Sequence, residues 1–141
     1  MNIESLAKEM GITLINNNVD TNNDPLYNDC MGTDDTIWVG EYDNKEFELI
    51  SFFHEIGHNL VPQDFIKKWE YNTLIIELEC WNLGIEKARQ KGILFSDKAI
   101  AWGYKKALSY VGNDERENTA WDSSKLWINQ YDIIGRSILK I

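Results

Sequence analysis

Residues 48–62 read ELISFFHEIGHNLVP, and the fold turns on how they are read. At the centre, His54-Glu55-Ile56-Gly57-His58 spells the pattern HExxH. In a helix, residues i and i+4 lie one above the other on a single face, so His54 and His58 can point at one ion. Glu55 is one step round, beside that ion but not on it, where it can take a proton from a coordinated water. The flanking run is helical in pattern, with Leu49, Phe52, Phe53, Ile56 and Leu60 recurring at helical spacing. Asp43 is placed to cap it, Glu46 to complete a capping box, and Pro62 to stop it. Gly57 inside the run costs about 1 kcal/mol relative to alanine. A second backbone is therefore expected to pack closely against that turn. Both histidines of the chain fall inside the motif.

A catalytic zinc takes three protein ligands and keeps one position open for water, whose pKa it lowers to about 7. Zinc is the expected cofactor, and with no third histidine the third ligand must be Asp, Glu or Cys. A second long helix is expected from Asn72 or Thr73 to Gly92, with Leu74, Leu78, Trp81, Ile85 and Ala88 at helical spacing. On it Glu77 shares a face with Leu74, Trp81 and Gly84, whereas Glu79 aligns with Ile75, Ile76, Leu83 and Glu86 on a mixed face. A carboxylate aimed at the core is costly unless something compensates it, and an ion does. Glu77 is the preferred third ligand, with Glu79 and Cys80 as alternatives. A purely structural zinc site closed by Cys80 or Cys30 has no use for the acid beside the metal.

Around this centre the chain reads as one domain, residues 1–141, long enough to bury a core without staples. A short helix is expected over 2–10, with Gly11 as its stop, then a β segment at 12–15 and an Asn-rich loop over 16–25. Residues 36–42, TIWVGEY, are the best strand, read as an edge strand packed on the HExxH helix that can pair with an extended substrate by strand addition, with a core strand as the alternative. Ser96-Asp97 opens a further helix closed by Gly112, and a last one is expected near 123–134. The fold class is α+β, a short sheet followed by a helical C-terminal half. A net charge of −9 speaks against a nucleic-acid partner. No apolar run reaches membrane-span length and no leader pattern opens the chain, so a cytoplasmic protein with reduced thiols is expected.

The short helix, the β segment ending TIWVGEY, the HEIGH helix and the following Glu77-Leu78-Glu79-Cys80 together resemble the ImmA/IrrE-type metallopeptidase domain. That family is common in bacteria, phages and mobile elements. The resemblance spans roughly residues 1–92 and implies a small zincin-like fold, with His54, His58 and Glu77 on zinc and Glu55 as catalytic base. It also implies proteolysis of an intracellular regulatory protein. This chain has Cys80 and Trp81 where the family usually has Ala then Asn or Asp, and it carries no recognisable helix-turn-helix. The expected activity is therefore zinc-dependent hydrolysis of a peptide bond, with a protein or peptide substrate. The alternative is a zincin-fold binding module that grips a partner without turnover.

Overall fold

Helix α1, Ile3–Met10, opens the chain, with the Asn2 side chain accepting the Ser5 N–H at 2.9 Å. Gly11, at φ 71°, ends it, and the Gly11 and Ile12 N–H groups return to Lys8 and Ala7 as in a Schellman turn. These coordinates are a computed structural model that describes residues 2–23, 31–32, 35–70 and 73–108. The expected stop at Gly112 and helix near 123–134 lie outside those residues, as does Cys30.

Among the described residues three strands follow: β1 (Thr13–Asp20), β2 (Met31–Gly32) and β3 (Thr36–Glu41). Their order is β1-β3-β2, with β1 parallel and β2 antiparallel to β3. The segment 36–42 is thus not an edge strand. β3 is central, flanked on both sides, and its Ile37 and Val39 point into the core. Composition marks a strand but does not choose its neighbours, and here the neighbours are a two-residue β2 and an Asn-rich β1.

The loop expected over 16–25 also needs correcting, because β1 continues to Asp20. Pairing with β3, including Asn16 opposite Val39, outweighs the local preference of asparagine for turns. That preference survives as an irregularity. The register slips between Asn16 and Asp20, Asn18 adopts φ 59°, and the Asn16 and Asn17 side chains accept the N–H groups of Asn18 and Val19. Beyond the strand, buried Thr21 donates its hydroxyl to the Glu41 carbonyl at 2.8 Å. The Asn23 side chain accepts the Asn44 N–H at 3.0 Å. The end of β1 is therefore tied to the start of the next helix.

That helix, α2, is Lys45–Leu60, followed by α3 (Gln63–Lys68), α4 (Thr73–Gln90) and α5 (Asp97–Leu108). Its cap is Asn44 rather than Asp43, with Asn44 Oδ1 accepting the N–H groups of Glu46 and Phe47 at 2.9 and 3.2 Å. Glu46 therefore closes no capping box. It reaches Ser96 instead, accepting its N–H at 3.0 Å and its hydroxyl at 2.7 Å, and Ser96 in turn caps α5 by accepting the Ala99 N–H. A one-residue shift of the cap turns a local device into a tie between two helices. The buried face of α2 also differs at its ends from the expected stripe: Phe47 and Ile50 join Phe52, Phe53 and Ile56, while Leu60 is 44% exposed. The short α3 after Pro62 has no counterpart in the sequence reading.

Helices α2 and α4 form the centre of the domain, and glycine decides how closely they meet. A Cβ built on Gly57 would stand 1.9 Å from the Cys80 carbonyl oxygen, and one on Gly84 would stand 2.2 Å from the Phe53 carbonyl oxygen. Each helix thus presses a glycine onto the other's backbone, as the glycine inside the HEIGH turn suggests. A third glycine, Gly103 of α5, seats the ring of Trp81 against that helix. One hydrophobic cluster runs through α1, β3, α2, α4 and α5, with Phe52, Phe53, Leu78, Trp81 and Tyr104 among its members. The described residues form a mixed α+β structure, and none of their helices is long and apolar enough to cross a membrane.

Candidate metal centre

The backbone contact at Gly57 sets the distance between two functional faces. His54 lies almost one turn before it and His58 directly after it, while Glu77 sits one turn before Cys80 on α4. Leu74, Glu77, Trp81 and Gly84 are all buried, as the helical phase requires, and Glu79 is only half-buried. The outcome is a cluster. One ligand atom from each of His54, His58 and Glu77 lies within 4.8 Å of the other two. Neither Glu79 nor Cys80 belongs to it; Glu77 is the residue of α4 that the structure brings beside both histidines.

The carboxylate of Glu77 bridges the two rings. His54 Nε2 donates to Glu77 Oε2 at 2.7 Å, and His58 Nε2 faces Glu77 Oε1 at 3.4 Å. The rings are held differently. His54 is 3% exposed and stacks on Trp81, with centroids 3.9 Å apart and planes at 4°, and its Nδ1 has no hydrogen-bond partner. His58 keeps 34% of its side chain in solvent, so the cluster opens on that side, and its Nδ1 lies 3.3 Å from Cys80 Sγ. Glu55 is buried, with Oε1 3.5 Å from His54 Nδ1, beside the cluster but not in it.

Charge follows from these contacts. Burial drives the pKa of His54 down to about 4, against the pull of Glu77. Burial also works against charge on His58, but hydrogen bonds to Cys80 and Glu77 outweigh it and raise its pKa to about 11. For Glu77 burial is again opposed, and the two histidines hold its carboxyl well below the usual carboxylate range. Burial pushes the Cys80 thiol up. At neutral pH the metal-free cluster therefore holds a Glu77 carboxylate, a neutral His54 and a protonated His58.

The donor set fits a divalent cation. Two imidazoles and a carboxylate are a catalytic zinc set. Tetrahedral ligands about 2.0–2.1 Å from an ion stand about 3.3 Å apart. His58 and Glu77 already have that spacing, while the His54–Glu77 pair must open by about half an ångström. Loading must also displace the His58 proton, because only neutral imidazole binds metal. Zinc affinity is thus expected to rise about tenfold per pH unit between pH 6 and 8, with one proton released per ion. Chelator competition across that range, and calorimetry in buffers of different ionisation enthalpy, measure both.

Several surrounding features escaped the sequence reading. Trp81, placed by its helical spacing among the core residues, forms the platform under His54. Cys80 touches His58, a contact foreshadowed by its place one turn after Glu77 on the same helix. Lys106 of α5 is 7% exposed, and its charge is among the causes that lower the His54 pKa. Tyr104 of α5 is buried in the core. An open groove between α1, β1 and β3, floored by Ile3, Ala7, Leu14 and Val39, contains none of the cluster. It is physically separate from the chemistry. Comparison of the chain with protein-family models, with curated proteins and with solved structures gives no match.

Proposed function

We propose that this chain is a zinc-dependent metallopeptidase domain of the ImmA/IrrE kind, acting on a protein or peptide substrate. The observation that carries the reading is the convergence of His54, His58 and Glu77 in one buried cluster with Glu55 at its side. A zinc ion there supplies Lewis acidity, activating water and polarising the scissile carbonyl. His54 and His58 hold their positions from consecutive turns of α2, and Glu77 supplies the negative charge from α4. Glu55 accepts the proton of the attacking water and passes it to the leaving amine. Trp81 and the surrounding core exclude water from the inner side, which leaves the half-exposed His58 edge as the approach for substrate.

Strand addition along the whole of 36–42 is disfavoured, because β1 pairs along one side of β3 and β2 takes Ile37 and Trp38 on the other.

The experiment is metal analysis of the purified chain after zinc supplementation, alongside Glu77→Gln and Glu79→Gln. The parent chain is expected to hold one zinc. Glu77→Gln is expected to lose more than the roughly 100-fold in affinity that a lost outer-shell partner costs, whereas Glu79→Gln keeps the parental value. A parent chain that takes up no divalent metal would sink the reading. Equal zinc binding by parent and Glu77→Gln would move the third ligand elsewhere.

A further inference from the structure

We propose that Cys80 is a positioning residue that sets the tautomer and orientation of His58 through an N–H···S hydrogen bond. The proposal rests on the metal-centre reading above and goes beyond it, because nothing in HExxH itself calls for a sulfur. Glu77 and Cys80 are separated by one helical turn, so α4 presents both to the same neighbour. They take opposite edges of one ring. Glu77 Oε1 faces His58 Nε2 at 3.4 Å and Cys80 Sγ faces His58 Nδ1 at 3.3 Å.

That division has a chemical consequence. An imidazole that binds metal through Nε2 must carry its remaining proton on Nδ1, and an acceptor there fixes the ring and makes it a better ligand. The acceptor is usually a carboxylate, a carbonyl or water. Here it is a thiol sulfur, a weak acceptor, placed within reach by the Gly57 contact with the backbone of Cys80 itself. Sγ lies at Nδ1 while Glu77 lies at Nε2, so sulfur orients the ligand rather than binding the ion. The two histidines are therefore fixed by different means: His54 by stacking on Trp81, His58 by a bond at each nitrogen. His58, half open to solvent, lacks the packing that holds His54 and depends more on its bond.

The test compares the parent chain with Cys80→Ala and Cys80→Ser. By chelator competition, Cys80→Ala is expected to bind zinc about tenfold more weakly, and Cys80→Ser, which restores an acceptor, to recover most of the loss. Long-range proton–nitrogen spectra of the zinc form should show His58 protonated at Nδ1 and ligated through Nε2. Parental affinity in Cys80→Ala overturns the proposal, and so does ligation of zinc through Nδ1. A thiolate-to-metal charge-transfer band in the cobalt form, abolished in Cys80→Ala, also overturns it by placing sulfur on the ion. If the parent chain takes up no metal, the metal-centre reading fails, and the metal-free protein decides this proposal separately. A protected His58 Nδ1–H signal that shifts in Cys80→Ser and vanishes in Cys80→Ala supports the bond. A signal indifferent to both variants refutes it.

Discussion

Glu55→Gln is expected to take up zinc as the parent chain does while losing peptide hydrolysis by about 10² to 10⁴-fold. The prediction rests on a separation of roles visible in the geometry. His54, His58 and Glu77 form the cluster, and Glu55 stands outside it with its carboxylate 3.5 Å from His54 Nδ1. Glutamine keeps the volume of glutamate, so the buried site repacks little, but an amide cannot accept the proton of an attacking water. Zinc content and turnover of a cleavable peptide, measured on the same sample, check both halves. Loss of zinc in Glu55→Gln would show that Glu55 supports the ligands rather than the reaction. Full zinc with undiminished biological activity would make the chain a binding module, the reading that competes with an enzyme.

Gly57→Ala is expected to damage fold and site together, lowering stability by about 3 kcal/mol, the upper end for overpacking in a tight core. A methyl group at Gly57 would stand 1.9 Å from the Cys80 carbonyl oxygen, and backbone cannot swing aside as a side chain does. The helices must separate by more than an ångström. That movement carries Glu77 and Cys80 away from His58, so zinc affinity falls although no ligand is replaced. Thermal unfolding with and without zinc checks it, with an expected fall in Tm of about 10 °C in the metal-free protein. Gly84→Ala, which meets the Phe53 carbonyl oxygen at 2.2 Å, should behave alike. A Gly57→Ala chain with parental Tm and zinc affinity would mean that the helices do not touch where the structure has them touching.

The site was more legible than the sheet, for a physical reason. HExxH, the burial of Glu77 and the glycine in the motif are all helical-phase statements, and a helix carries its geometry within a few residues of sequence. The same phase reading separates Glu77 from Glu79, two residues apart and on different faces. Strand neighbours carry no such local record. Nothing in TIWVGEY states that it lies between an Asn-rich strand and a two-residue one, and the position of β3 came only from pairing. The cap of α2 missed by one residue because Asp43 and Asn44 are both competent caps, and the tie from Asn23 to the Asn44 N–H helps choose between them.

What the sequence by itself determined is a short list of donors: two histidines four residues apart, an acid between them, and Glu77, preferred over Glu79 and Cys80 because its helical phase turns it inward. These follow from helix geometry and from the cost of burying charge, and both are local. Only the tertiary structure decided how far apart α2 and α4 stand, and so whether the donors converge. It also decided which contacts steady them, stacking for His54 and sulfur for His58. Those answers depend on two glycines pressing onto carbonyls of the opposite helix, a contact between residues distant in the chain, and no local pattern encodes the distance at which it closes.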